Sequence, residues 1–278
     1  MRADAAEFSL KSGDPAAALT HLQAQVRAKP DEPKLRIFLF QLLCVLGQWE
    51  RALNQLSVAA GLDAGALAMA QTYGDAVRCE AVRDDVFDGK RSPMIFGQPD
   101  GWLALLIESL LVAGRGDAAR SQELRAAAFE EAPTSSGTVD GRPFTWIADA
   151  DCRLGPVVEA VINGRYYWVP FSRLSGVEIE APADLRDLVW MPAHLSFENG
   201  GESVALIPTR YPGSEDSEDG MIRLARKTVW DELGPDVHRG LGQRVLTTDA
   251  EDTPLMDIRS IAIAPSDADT TDDAGDHG

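Results

Sequence analysis

The residues best suited to chemistry lie in one short segment, where charged side chains precede a run of aromatic residues. Asp149 and Asp151 stand two positions apart, and Arg153 follows them. Two carboxylates at this spacing could supply oxygen ligands to a divalent cation, but calcium and magnesium sites need further oxygens or a substrate phosphate. Because an unpaired charge is costly to bury, the alternative is that these groups are solvated or paired with one another.

The common catalytic sequence patterns are missing. The histidines show no His-Glu-x-x-His spacing, and no Gly-x-Ser-x-Gly elbow or Gly-x-x-x-x-Gly-Lys-Ser/Thr phosphate loop occurs. The turn that begins at Arg210 and ends at Ser214 could bind an anion through the arginine and turn amides, or it could be held by ion pairs. We therefore predict no catalytic residue, no metal ligand and no cofactor.

A structural role is the interpretation that we favour for the charges of the second half. Arginine–carboxylate pairs can be bidentate and geometrically demanding, so a set of them could lock loops onto a sheet. The alternative is a metal-assisted hydrolase with a site at Asp149, Asp151 and Arg210. The predicted network comprises Asp149, Asp151, Arg153, Arg165, Asp184, Arg186, Asp187, Arg210 and Glu215.

Short runs of β-branched and aromatic residues must position these charges. Val157 to Ile162 and Tyr166 to Phe171 flank Asn163-Gly164, which supplies the positive φ angles of a tight hairpin turn. Similar runs continue to Ile263 at the spacing of a small sheet or barrel. We predict a β-rich α+β domain over residues 140–263, with a helix over Gly220 to Leu233.

The first half carries a repeat with the period of a tetratricopeptide unit. The pattern Gly-x-x-x-x-Ala-Leu-x-x-Leu begins at Gly13 and recurs 34 residues later at Gly47. Gly13 can end one helix in a left-handed conformation, and Asp14-Pro15 supplies the N-cap and first residue of the next. We predict a tetratricopeptide-like α-α superhelix of five to seven helices over residues 1–132. The fold class is thus two-domain α+β.

Helical arrays of this kind usually present a concave surface to peptides or helices of other proteins. On the tetratricopeptide register, the groove-facing positions of the second repeat are those that we predict to contact a partner. The alternative is that this face lies against solvent or against the second domain. The predicted partner-binding residues are Lys34, Ile37, Gln41 and Cys44.

Composition narrows the class of partner. The chain has 278 residues and a formal net charge of -18, which disfavours nucleic acids and anionic membranes. Its 3 cysteines are widely spaced, as in proteins of a reducing cytoplasm. No apolar run approaches the ~20 residues that span a bilayer. We predict a soluble chain that ends in a disordered acidic tail over residues 264–278, and the oligomeric state stays open.

Six segments give a more specific indication than any single residue. They are Phe38–Ala52, Trp146–Pro156, Gly164–Phe171, Asp184–Trp190, Ile207–Glu215 and Gly240–Arg244. In this order they resemble the ImpE/SciE family, also called TagJ, and the likeness runs from about residue 7 to residue 263. The resemblance implies a cytoplasmic, non-enzymatic accessory protein of the bacterial type VI secretion system.

The same resemblance implies a protein partner. Members of the family associate with the contractile sheath through its small subunit, which implies an influence on sheath assembly or on disassembly by the ClpV-type ATPase. It implies no catalytic residues. Because a helical-repeat groove suits an amphipathic helix, we predict that a helix of the sheath subunit docks on residues 1–130.

Overall fold

The helices of the first half form as consecutive pairs. The computed structural model describes residues 5–234 and 237–265. Asp14 accepts a hydrogen bond from the Ala17 N–H at 2.8 Å, and both Gly13 and Gly47 have positive φ, as the repeat predicts. The helices before residue 132 are α1 (Ala5–Lys11), α2 (Pro15–Ala28), α3 (Pro33–Val45), α4 (Trp49–Leu62), α5 (Leu67–Phe87), α6 (Gly101–Gly114) and α7 (Ala118–Glu131).

Strands dominate from Gly137 onward. A nine-stranded sheet has the order β1-β6-β5-β9-β8-β7-β14-β2-β3 and is open, so it is not a barrel. Two small sheets have the orders β13-β12-β4 and β10-β11. The strands are β1 (Met94–Ile95), β2 (Gly137–Val139), β3 (Arg142–Phe144), β4 (Ile147–Asp149), β5 (Val157–Ile162), β6 (Arg165–Pro170), β7 (Leu174–Ile179), β8 (Trp190–Phe197), β9 (Glu202–Pro208), β10 (Thr228–Gly234), β11 (Val237–Gly242), β12 (Val245–Thr248), β13 (Asp252–Pro254) and β14 (Ser260–Ile263).

The hairpin prediction is confirmed. Asn163 and Gly164 have φ values of 50° and 72°, and Ile162 pairs with Arg165 across the turn. All six residues of β5 are buried, which fits a strand covered on both faces.

The predicted helix over Gly220 to Leu233 is wrong. A short helix, α8 (Gly220–Arg223), ends before Ala225, which has a positive φ of 51°, and β10 then pairs with β11. Thr228 begins a β-branched and aromatic stretch with high strand propensity, so cross-strand pairing overrides the helical period. Trp230 on β10 packs at 5.6 Å from the Tyr211 ring.

One hydrophobic core joins the helices to the large sheet. It combines Leu43 and Tyr73 from the helices with Trp168 and Trp190 from the strands. The Trp190 ring lies 6.0 Å from Trp49 and 6.1 Å from Tyr73. One side of the helical layer is therefore covered by the chain's own sheet.

The connection between α5 and α6 also contributes to the sheet, because β1 pairs in parallel with β6. The division into domains at residues 132 and 140 stays a prediction. Most of the predicted acidic tail, residues 266–278, lies outside the described residues. In the described part of the chain, no helix combines the length and apolar composition needed to cross a membrane.

Candidate functional site

A cluster of buried charges joins α5 to the large sheet. Arg83 on α5 donates from Nε to Glu159 Oε1 at 2.6 Å and from Nη2 to Oε2 at 3.2 Å. Arg244 also donates to Glu159 Oε2, and the Tyr166 hydroxyl donates to Oε1 at 2.6 Å. We call this cluster, with Glu80 and Asp149, the buried junction.

Glu159 is held as an anion at neutral pH in this setting. Burial opposes ionisation, but the guanidinium groups of Arg83 and Arg244 outweigh it and lower the pKa of Glu159 to about 2. The pKa of Glu80 is instead raised, because the effect of burial prevails. Arg83 beside it and Trp190 Nε1, which donates to it at 2.6 Å, act in the opposite direction. With both Glu159 oxygens occupied by donors, this carboxylate cannot act as a catalytic base at neutral pH.

Asp149 and Asp151 are bonded within the protein. Asp149 accepts from Arg244 Nη1 at 2.5 Å, from the Tyr211 hydroxyl at 3.0 Å and from the Asp151 N–H at 2.8 Å. Burial raises the pKa of Asp149 to about 6, with Arg244 acting in the opposite direction. Asp151 accepts from Arg153 Nη2 at 2.6 Å and from the backbone of β11.

The arrangement of these carboxylates does not favour a metal site. Their oxygens are directed at protein donors, and no group of three His, Cys, Asp or Glu side chains in the described residues could hold a metal ion. The two aspartates instead tie the segment before the hairpin to β11 and β12.

Arg210 caps a repeat helix from the sheet side. The residue is 3% exposed, and its guanidinium donates to the Val45 carbonyl at 2.8 Å, the Cys44 carbonyl at 3.3 Å and the Arg223 carbonyl at 2.5 Å. The last carbonyls of a helix lack partners within it, and a positive charge is favourable there. Arg210 therefore holds the end of α3.

The remaining predicted charges differ in the partners that they contact. The Asp187 carboxylate accepts from the Ala183 and Asp184 N–H groups, both at 2.7 Å. Arg186 pairs with Asp184 at 2.6 Å. Neither Arg165 nor Glu215 forms an ion pair within the described ranges, but the charge of Glu215 acts on Arg210 and opposes the lowering of the Arg210 pKa by burial.

The four predicted partner-binding positions differ in how far they are exposed to solvent. Gln41 and Cys44 are buried, with Cys44 fully enclosed where Arg210 reaches its carbonyl. Ile37 is half-buried, whereas Lys34 is exposed and lines a cleft between α2 and α3. The sheet thus covers the C-terminal part of this face, and a partner contact at these positions stays a prediction.

An open, mostly apolar cleft with Asn54, Gln71 and Arg78 in its lining lies between α4 and α5. Its volume is about 1110 Å³, and it includes Leu53 and Ala60 of α4 and Leu67 and Gly74 of α5. Leu67 is 57% exposed. We call this cleft the α4–α5 groove.

Gly74 lines the groove without being required by the fold. A Cβ atom there would lie 3.8 Å from Arg78 Nη1 and 3.9 Å from Leu53 Cδ2, both ordinary contacts. Glycine inside a helix costs about 0.5–1 kcal/mol relative to alanine. Gly74 itself is buried beside Leu53.

The comparisons with known proteins agree with this architecture. Residues 141–262 match the family model described as ImpE protein, and residues 9–72 match a tetratricopeptide repeat model. The chain is 50% identical over 263 residues to the type VI secretion system accessory component TagJ of Pseudomonas aeruginosa, covering 95% of this chain and 92% of the relative. The chain belongs to the ImpE family.

A solved structure supports the fold of this ImpE-family protein. The crystal structure of protein VPA1032 from Vibrio parahaemolyticus has a TM-score of 0.86 and 25% identity, covering 95% of this chain and 98% of that chain. The predicted fold class, a tetratricopeptide-like region followed by a β-rich region, is confirmed.

The segments that carry the ImpE resemblance supply much of the buried junction. Trp146–Pro156 contains Asp149, and Gly240–Arg244 ends on the arginine that binds both Asp149 and Glu159. Two further segments reach the helices, since Asp184–Trp190 ends on the tryptophan that donates to Glu80 and Ile207–Glu215 contains Arg210, which donates to the Val45 carbonyl.

The centre of the junction was not predicted from the sequence, and it is formed by Glu80, Arg83, Glu159 and Arg244. One signal was available, because Glu159 is a lone charge inside the apolar run of β5 and must find a partner when buried. The partner could not be identified, since Arg83 lies 76 residues away in sequence.

Proposed function

We propose that this ImpE-family protein is a non-enzymatic adaptor of the type VI secretion system that binds the small subunit of the contractile sheath. The observation that carries the proposal is the α4–α5 groove, an open, mostly apolar cleft that lies largely within the tetratricopeptide region. The 50% identity to TagJ, an accessory component of that system, supports the accessory role.

An amphipathic helix is the occupant that best fits the groove. Packed helices approach to interaxial distances of about 8–10 Å, and small residues allow the closest approach. Ala60 and Gly74 have little or no side chain, so another helix can approach α4 and α5 closely. Leu53 and Leu67 offer apolar contacts. Helix-in-groove recognition uses apolar anchors at i, i+3, i+4 and i+7 in this way.

The absence of catalysis in the proposal rests on how the charged groups are engaged. Asp149, Asp151 and Arg210 each bond to protein groups, so they do not converge on a shared open space. No observation favours the alternative of a metal-assisted hydrolase.

Binding of the sheath subunit would place this protein on the sheath in the cytoplasm. There it would modulate sheath assembly, or disassembly by the ClpV-type ATPase, because an accessory chain bound to one subunit alters how that subunit meets others. This downstream role rests on the proposed sheath contact.

A titration of the full chain with its cognate small sheath subunit tests the proposal. Gly74→Leu places a branched side chain in the groove and should weaken binding about tenfold or more, equivalent to about 1.4 kcal/mol. Gly74→Ala adds one methyl group at the same position and is the matched control, with a smaller effect. Unchanged affinity of Gly74→Leu would remove the groove as the binding site.

A further inference from the structure

The segment between β9 and β10 binds the end of α1 as well as the end of α3. Arg226 donates to the Leu10 carbonyl at 2.7 Å and to the Lys11 carbonyl at 3.4 Å, and Lys11 is the last residue of α1. The last carbonyls of a helix have no partner within it, so a guanidinium is favourable there. We call this segment, residues 210–226, the strap.

The two contacts of the strap follow the period of the repeat. Arg210, at the other end of the strap, donates to the Cys44 and Val45 carbonyls at the end of α3. These two carbonyls lie 34 residues after the two that Arg226 binds. The strap therefore bridges equivalent points of the first helical pair, α1 and α2, and the second pair, α3 and α4.

The backbone of the strap also packs against the turn between α1 and α2. A Cβ atom at Gly220 would lie 1.9 Å from the Gly13 carbonyl oxygen and 2.7 Å from Pro15 Cδ. A side chain at this position would thus push the strap away from the turn. Met221 lies against the same turn, since a Cβ atom at Gly13 would be 2.8 Å from its sulfur.

The two ends of the strap differ in burial. Arg210 is 3% exposed and also donates to the Arg223 carbonyl within the strap. Arg226 is exposed, so water competes for its hydrogen bonds. Ala225, just before it, has a positive φ of 51°, in the left-handed region that favours glycine. The Arg226 contact is therefore the weaker of the two.

The first helical pair depends on these contacts. Its helices have 7 and 14 residues, and isolated helices shorter than about 12–15 residues are marginally stable in water. A cleft of about 470 Å³ separates the end of α2 from the start of α3, with Ala28 on one side and Leu35 on the other. At its other end, α2 packs on the α8 helix of the strap. The strap thus supports the end of the pair that lies opposite the cleft.

We propose that the strap controls a local order–disorder transition of the first helical pair. While Arg226 is bound, α1 and α2 stay folded on α3. When Arg226 is released, the pair detaches and unfolds, and Arg210 keeps α3 in place. Elements with few anchoring contacts are the first to open in a folded protein. The inference concerns contacts within the chain, so it does not depend on the proposed sheath contact.

Thiol labelling of the full chain tests the proposal. Ala18 and Ala52 are fully buried and occupy the same position in successive pairs, so Ala18→Cys and Ala52→Cys are matched probes. With a slow thiol reagent and mass spectrometry of the modified peptides, Arg226→Met should raise the labelling rate at position 18 about fivefold. The rate at position 52 should change less than about twofold. Arg27→Met, at an exposed arginine of α2, is the control and should change neither rate.

A second variant releases the strap without removing a charge. Gly220→Ala places a methyl group against Gly13 and should raise labelling at position 18 to a similar extent. Its control is Gly61→Ala, because a Cβ atom there meets no atom within 4 Å. Gly220→Ala combined with Arg226→Met should give less than the product of the two single effects, since both break the same contact.

Three results would overturn the proposal. They are no rise at position 18 in Arg226→Met, a parallel rise at both positions, and no effect of Gly220→Ala. A parallel rise, or loss of the whole fold, would mean that the strap stabilises the entire chain and not the first pair. Amide hydrogen exchange of α2 and α4, measured without the added cysteines, gives the same comparison and should show the same selective increase in α2.

Discussion

The two sides of the helical layer are used in opposite ways. The side that faces the sheet carries Cys44, Glu80 and Arg83, and each contacts groups of the chain's own second half. The α4–α5 groove carries Leu67 and Gly74 and remains open. In a repeat protein, the face that the register assigns to a partner can thus be taken up by an intramolecular contact, which leaves another groove for binding.

This contrast has an energetic counterpart. In the buried junction, removing one charged partner leaves an uncompensated charge in a low-dielectric interior. The α4–α5 groove includes partly exposed positions such as Leu53 and Leu67, where substitutions change the surface without leaving a buried charge unpaired. Stability should therefore respond to the first side and binding to the second.

The largest expected effect is at Arg83. Arg83→Met removes the bidentate partner of Glu159 and should lower the free energy of unfolding by about 3–5 kcal/mol. Urea denaturation measures the loss. Arg78→Met is the matched control on the same helix, because Arg78 is exposed, and it should change stability by at most about 0.5 kcal/mol. Similar losses for the two variants would contradict the contrast between the two sides.

The pH dependence of stability should identify Glu159 as a buried anion. Its pKa is lowered from 4.5 to about 2 in the folded chain, so its contribution is present above pH 4.5 and is lost as pH falls through 2. At neutral pH this contribution is roughly 3 kcal/mol. The Glu159→Gln variant should therefore be less stable than the unaltered protein at pH 7, with a difference that shrinks from pH 4.5 downward.

The contribution of Asp149 to stability has the opposite pH dependence, because the pKa of its carboxyl is raised rather than lowered. Its pKa is raised from 3.8 to about 6, so the folded chain binds the proton more tightly and stability falls as pH rises through that interval. Because Arg244 binds both carboxylates, comparing Glu159→Gln with the unaltered protein at each pH cancels the Asp149 contribution only in part. A difference that stays constant between pH 7 and pH 3 would show that Glu159 is not held as an anion.

Arg125 differs from Arg83 because it is a buried arginine without a carboxylate partner. It is 7% exposed, its Nη2 bonds to the Ser121 hydroxyl, and Nε and Nη1 have no partner among the described residues. Replacing an unpaired buried charge with an apolar side chain of similar length removes a desolvation penalty. We expect Arg125→Met to raise the unfolding free energy by about 1 kcal/mol, and a loss as large as that of Arg83→Met would be inconsistent with an unpaired group.

The smallest expected effect is at the groove itself. Gly74→Ala should raise the free energy of unfolding by about 0.5–1 kcal/mol, since alanine favours the helix and its Cβ meets only ordinary contacts. Thermal denaturation of the two chains measures it. Destabilisation would mean that the space beside Gly74 is filled in solution.

Sequence reasoning succeeded where the signal is local. Gly13 and Gly47 mark helix ends, and Asn163-Gly164 marks a hairpin, because each turn depends on residues within a few positions. It failed at Gly220 to Leu233, where the partner strand β11 decides the conformation. It also could not foresee that Arg210 would meet Cys44 and Val45, which lie about 165 residues earlier.

The cap that Arg210 places on α3 has a mechanical consequence. Helical repeats contact only their neighbours, so the packing between successive helices normally sets the geometry of such an array. Here the Arg210 side chain, which follows β9, also bonds to the last carbonyls of α3 and adds a contact from outside the repeat. A displacement of α3 relative to the second half would break these hydrogen bonds, which opposes bending of the array at this helix.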